Sequence, residues 1–158
     1  MNYNFQNTQL YSECQLIAIW NAARFYGMEK KVPKIGTVEY DKICEKFACK
    51  TGSCIGVEKE LNRLGLKYIQ GKWDFRWIKN NLPVKLTIFR PKQGLHSILA
   101  IQEEINGFYL ANMGDGKLQW CSYEVLQKMK ISNSFFRPTA IKKKINFITF
   151  LKKLRIIK

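Results

Sequence analysis

The sequence has 158 residues, of which 46% are hydrophobic and 13% aromatic, which is enough to build the core of one compact domain. It contains no run of eighteen apolar residues, and its first residues have neither the charged start nor the apolar centre of a signal peptide, so we expect a soluble cytoplasmic protein without a transmembrane segment. The formal net charge of +15 does not by itself indicate a polyanion partner, because abundant Lys, Ile and Asn also fit an AT-rich genome. Such a genome is typical of a low-GC bacterium or a phage, and for a phage protein the host cytoplasm or the virion is the expected location.

The first half of the chain is predicted to be helical. A helix is expected from Cys14 to Gly27, with Ser12 as its N-cap and Gln15 at the third helical position, as in a capping box. This helix is apolar on nearly every side, which is typical of a helix buried in the centre of a domain. Two amphipathic helices are expected to follow, at about 38–48 and 55–64.

The second half is predicted to be mainly a sheet. Strands are expected at about 67–70, 83–90, 96–102, 108–112, 117–121 and 135–141, with short helices at 75–81 and 123–130. Asn106-Gly107 predicts a tight hairpin turn. Helices first and antiparallel strands second define an α+β domain, in which a central helix headed by Cys14 packs on a C-terminal antiparallel sheet. We assign residues 1–136 to this domain, and residues 137–158 to a last strand and a basic tail.

The five cysteines are an odd number in a chain without an export signal, so reduced thiols are expected rather than a disulfide framework. Cys44, Cys49 and Cys54 are equally spaced, five residues apart, and could suggest a metal. Zinc sites, however, favour gaps of two to four residues and need a fourth ligand, so buried thiols are the favoured interpretation. We expect neither a metal nor an organic cofactor.

Cys14 and His96 together give the best indication of function. Cys14 begins the long apolar helix, and His96, the single histidine, lies on a predicted strand far along the chain. A helix N-terminus and an imidazole both favour thiolate over thiol, which is what a cysteine nucleophile requires. The alternative interpretation is a small buried cysteine and a hydrogen-bonded core histidine.

A nucleophile and its base also need an orienting group and oxyanion donors. Asn112 ends the strand that the hairpin returns beside the strand of His96, so its side chain is the candidate orienter, with Asp115 as the alternative. Gln9 and the backbone N–H of Cys14 are the candidate oxyanion donors. Asn112 could instead be a simple turn residue.

This order of residues resembles that of the papain-like cysteine peptidases, and more closely that of the bacterial branch that removes double-glycine leaders from bacteriocins. The resemblance covers about residues 4–130. It is carried by Gln9-Leu10-Tyr11-Ser12-Glu13-Cys14, Arg24-Phe25-Tyr26-Gly27, Gly94-Leu95-His96-Ser97-Ile98-Leu99-Ala100-Ile101 and Tyr109-Leu110-Ala111-Asn112-Met113-Gly114-Asp115-Gly116. The chain departs from that branch in having Gln15 where glycine is typical, Asn112 where aspartate is usual, and Gln9 one residue late, so that Gln6 is the alternative to Gln9 at the oxyanion.

The resemblance implies a papain-like cysteine peptidase or amidase. It would hydrolyse a peptide or isopeptide bond of a peptide or protein substrate through a thioester, with Cys14, His96 and Asn112 catalytic and Gln9 at the oxyanion. The alternative is a non-catalytic papain-like binding or structural module, such as a phage particle component or an inhibitor of a host factor.

The C-terminal segment, residues 137–158, carries eight basic residues and no acidic one. Apolar residues alternate with these charges, which is typical of a basic amphipathic helix. Such a helix can lie on an anionic membrane surface, dock on a partner protein, contact nucleic-acid phosphates, or pack back on its own domain. No sequence-specific nucleic-acid recognition is expected.

Overall fold

The computed structural model describes residues 13–47, 57–91, 94–114, 116–131 and 136–144. Within these ranges the α-helices are α1 (Cys14–Phe25), α2 (Val38–Phe47), α3 (Val57–Arg63), α4 (Phe75–Asn80) and α5 (Tyr123–Met129), with a 3-10 turn at Glu29–Lys31. The strands are β1 (Leu66–Gln70), β2 (Val84–Arg90), β3 (Gly94–Glu103), β4 (Gly107–Ala111), β5 (Gln119–Ser122) and β6 (Thr139–Lys143). In this part of the chain, no helix has the length and apolar character needed to cross a bilayer.

The strands form one sheet in the order β1-β6-β2-β3-β4-β5, and every neighbouring pair is antiparallel. The predicted α+β class, with helices first and an antiparallel sheet second, is confirmed. The last strand lies inside the sheet, between β1 and β2, and it begins later than predicted. Pro138, which has no N–H to donate to a strand ladder, falls inside the predicted range, and β6 begins directly after it.

Side-chain alternation along β3 divides the core between the two faces of the sheet. Leu99 and Ile101 pack in one cluster with Trp20 and other apolar residues of α1, and also with residues of α2 and α3. Ile98 and Ala100 pack in a second cluster with residues of α4 and α5. Because successive strand residues point to opposite faces, β3 connects both clusters. The helix that carries Cys14 thus lies directly on β3.

The N-cap of α1 lies one residue later than predicted. Glu13 occupies the N-cap position, and its side chain makes no capping hydrogen bond. Glu13 is fully buried, and its carboxylate accepts a hydrogen bond from Cys44 of α2. Ser12, the predicted N-cap of the capping box, lies outside the described residues. The helix ends at Phe25, and Gly27 follows with a positive φ of 72° that terminates it.

The lysines of the C-terminal segment that the structure describes all contact the domain. Lys142 Nζ donates to the Leu82 carbonyl at 3.0 Å, and Lys143 Nζ donates to the Tyr26 carbonyl at 3.2 Å. Lys144 Nζ donates to Asn62 Oδ1. These three lysines therefore contact the domain's own surface, and Lys142 and Lys143 belong to β6 rather than to the predicted amphipathic helix. The rest of that predicted helix, residues 145–158, lies outside the described ranges.

The hairpin between β3 and β4 turns one residue earlier than predicted. Its centre is Ile105-Asn106, with φ values of 36° and 58°, and Gly107 is already the first residue of β4. The pair of positive φ angles matches the twist of the strands, as in a type I′ turn. A β-branched residue such as Ile105 is strained in this region of backbone space.

Replacing Ile105 by Asn is expected to stabilise the protein by about 0.5–1 kcal/mol, because Asn adopts positive φ more readily than isoleucine. Ile105 is 80% exposed, so little packing is lost. Ile105→Thr is the matched control, since it removes the apolar surface but keeps the β-branch. Urea denaturation measures both variants, and equal stability of the two would contradict the strain at this turn.

Candidate active site

Cys14 is the first residue of α1, and its thiol is free and largely buried, with 9% of the residue exposed. The first intrahelical hydrogen bond runs from the Ile17 N–H to the Glu13 carbonyl at 3.0 Å. The Cys14 N–H therefore precedes the helical ladder and lies at the positive end of the helix dipole. This position favours negative charge on an oxygen bound beside the thiol.

The residue before the nucleophile candidate belongs to a buried polar cluster. The Cys44 thiol donates to Glu13 Oε2 at 3.6 Å, and the Tyr40 phenol lies beside the same carboxylate. Burial, reinforced by the Glu13 charge, raises the pKa of Cys44 to about 12 and raises the pKa of Tyr40 as well. Cys44 therefore stays a protonated donor at neutral pH. Glu13 was not predicted to belong to the site, although an acidic residue directly before an apolar helix is a detectable signal.

His96 lies near the start of β3 and is held by a main-chain acceptor. Its Nε2 lies 2.7 Å from the carbonyl oxygen of Asn112. A carbonyl oxygen only accepts, so we assign the proton to Nε2. In the neutral ring, Nδ1 then carries the lone pair, which is the arrangement that a general base requires.

The surroundings of His96 favour the neutral imidazole. Burial lowers the pKa of His96 below 6.5, and the positive charge of Arg90 acts in the same direction. The hydrogen bond to the Asn112 carbonyl opposes both effects without cancelling them. At pH 7 the ring is therefore predominantly uncharged and able to accept a proton.

Asn112 contacts His96 in a different way from the one predicted. Its side-chain Nδ2 donates to the Ser97 carbonyl at 2.8 Å, and it is the main-chain carbonyl that meets the imidazole. The residue is 2% exposed and has a φ of 69°, in the left-handed region that asparagine tolerates. This conformation follows directly after β4, where the Asn112 carbonyl meets His96.

The structure thus brings two of the predicted residues, His96 and Asn112, into contact, whereas the third, Cys14, lies at the N-terminus of α1. Across the ranges that the structure describes, no hydrogen bond joins the Cys14 thiol to the His96 ring. By strand alternation, His96 shares a sheet face with Ile98, whereas α1 packs on the other face. Gln9 and Asp115 lie outside the described residues. The pairing of Cys14 with His96 therefore remains a prediction.

One residue of the site carried no signal in the sequence. Arg90 ends β2, and its Nη2 donates to the Met113 carbonyl at 2.8 Å. It also contributes to the electrostatic environment of His96. A lone arginine at the end of a strand has no pattern that distinguishes it from a surface residue, so only the fold reveals it.

The described fold is a helix headed by Cys14 that packs on an antiparallel sheet, with His96 near the start of one strand. A solved structure that shares it is the peptidase domain of Streptococcus ComA, a bi-functional ABC transporter involved in a quorum sensing pathway. The TM-score is 0.64 at 17% sequence identity, and the alignment covers 90% of this chain and 99% of that one. No protein-family model and no curated protein sequence matches the chain.

Proposed function

We propose that this protein is a cysteine peptidase or amidase. The observation that carries the proposal is the hydrogen bond of His96 Nε2 to the Asn112 carbonyl, which leaves Nδ1 as a base in a fold with a cysteine at the head of its central helix. The lowered pKa of His96 supports the same role, because a base must be unprotonated to act. The likeness to a peptidase domain supports a peptide as the substrate class.

The proposed reaction is acyl transfer to water through a thioester. Cys14 Sγ attacks the carbonyl carbon of the scissile bond while His96 Nδ1 takes the thiol proton. This step requires a Cys14–His96 contact that the described structure does not contain, since α1 and His96 lie on different faces of β3. The imidazolium gives that proton to the leaving amine as the C–N bond breaks. Water, deprotonated by the same nitrogen, then attacks the thioester and releases the acid and the free thiol.

Oxyanion stabilisation is assigned to the N-terminus of α1. The Cys14 N–H lies ahead of the first helical hydrogen bond, so it can donate to an oxygen that becomes negative beside Sγ. Gln9 is the proposed second donor. Cys14, His96 and Asn112 are then the reacting or orienting groups, and Asn112 acts through its carbonyl.

Site-resolved alkylation with iodoacetamide, read by mass spectrometry, tests the proposal without a known substrate. We expect Cys14 at pH 7 to be labelled at least about tenfold faster in the wild type than in His96→Ala, because the imidazole accepts the thiol proton. Cys44 and Cys121 are internal controls, since both are buried and burial raises the pKa of each thiol. Their labelling stays slow in both proteins.

Thermal denaturation of the same samples shows whether His96→Ala is folded, and His96→Gln provides a second variant of closer size. Equal labelling of Cys14 in wild type and folded His96 variants would exclude the catalytic pair. The fold would then serve as a binding or structural module. Rapid labelling that depends on His96 justifies a search for the peptide substrate.

A further inference from the structure

Arg90 connects two segments that meet at His96. It is the last residue of β2 and pairs across the hairpin with Gly94, two residues before the histidine. Its guanidinium reaches the other side of the histidine, where Nη2 donates to the Met113 carbonyl at 2.8 Å. Met113 directly follows Asn112, whose carbonyl holds the imidazole.

The segment that follows β4 is therefore held from two directions. The side-chain amide of Asn112 donates to the Ser97 carbonyl on β3, and Arg90 holds the next residue from β2. Asn112 itself is in the left-handed region, a conformation that persists only where the surroundings fix it. Without the Arg90 side chain, the hydrogen bond to Met113 is lost and only the hydrogen bond from Asn112 to Ser97 remains of these two.

We propose that Arg90 is a positioning residue that fixes the Asn112 carbonyl, and through it the orientation of the His96 ring. The guanidinium donates a charge-assisted hydrogen bond, which is stronger than a neutral one, and its planar geometry also restricts direction. The proposal deepens the proposed function and rests on it. Its physical content, the restraint on the imidazole, is measurable whether or not the enzyme turns over.

The single histidine makes the test direct, because one labelled imidazole gives all the histidine signals in an NMR spectrum. In the wild type the Nε2–H proton is hydrogen-bonded to the Asn112 carbonyl, so we expect its exchange with water to be slow. In Arg90→Met we expect this exchange to become at least about tenfold faster, because the acceptor carbonyl is no longer fixed. Arg90→Lys keeps the positive charge but loses the planar guanidinium. We therefore expect the Nε2–H exchange rate in this variant to lie between the rates in the wild type and in Arg90→Met.

Arg76→Met is the matched control, since Arg76 is an exposed arginine on α4 and its loss is expected to leave the Nε2–H exchange unchanged. Backbone amide exchange across the sheet separates a local effect from general unfolding. If the Nε2–H proton of folded Arg90→Met exchanges at the wild-type rate, the proposal is overturned. If instead His96→Ala does not slow Cys14 labelling, the proposed enzyme fails while the restraint by Arg90 is still judged by the NMR result.

Discussion

Replacing Glu60 by alanine is expected to lower the free energy of unfolding by about 3 kcal/mol. The Trp20 indole Nε1–H donates to Glu60 Oε1 at 2.6 Å inside the protein, and both residues are fully or almost fully buried. The same carboxylate binds Arg63, at 2.6 Å. Removal of Glu60 leaves a buried indole N–H without an acceptor and removes the hydrogen bond that joins α1 to α3. Urea denaturation followed by tryptophan fluorescence measures the loss.

Two variants separate the hydrogen bond from the charge. Glu60→Gln keeps an acceptor for Trp20 but loses the ion pair with Arg63, whose side chain is 40% exposed and can be hydrated, so a loss of about 1 kcal/mol is expected. Glu58→Ala, on the exposed face of the same helix, is the matched control and is expected to change stability by less than about 0.5 kcal/mol. A Glu60→Ala protein as stable as the Glu58→Ala protein would refute the role of this contact.

Gly107→Ala is expected to lower the free energy of unfolding by about 2–4 kcal/mol, or to shift β4 in the sheet. A Cβ at this position would lie 2.6 Å from the Cys121 carbonyl oxygen and 2.7 Å from the Trp120 ring. The backbone oxygen belongs to the neighbouring strand and cannot rotate away. Because β4 runs from Gly107 to the residue before Asn112, a shift of this strand would also displace the carbonyl that holds the histidine.

Gly36→Ala provides the control for Gly107. Gly36 has a φ of 81°, but its added Cβ would meet no atom within 4 Å, so only the backbone conformation is penalised, by about 1 kcal/mol. Urea denaturation compares the two variants, and labelling of Cys14 reports on the site. Equal stability losses at the two glycines would show that the close approach of β5 to β4 does not constrain residue 107.

Local signals predicted most elements because they depend on neighbours in the chain. The apolar run after Cys14 and the alternation along β3 both report burial, and Gly27 and Gly65 end helices by adopting positive φ. The misplaced features are those for which two local solutions compete. The hairpin turn lies one residue earlier than predicted, because Ile105 rather than Gly107 adopts a positive φ. Gly107 lies in β4 instead, where a Cβ would clash with β5.

The sequence by itself determined the helical first half, the antiparallel second half and the candidate pair of Cys14 and His96. Hydrophobic periodicity and the chemistry of single residues can be read from residue types and their spacing alone. Only the tertiary structure decided how the histidine is held. Asn112 was predicted to orient it through its side chain, yet the amide binds Ser97 and the carbonyl meets the ring. Arg90 was not predicted, because its contact with Met113 joins residues 23 positions apart. Such contacts depend on the register of the strands and on the left-handed backbone conformation of Asn112. Neither property can be recognised from the neighbouring residues in the sequence.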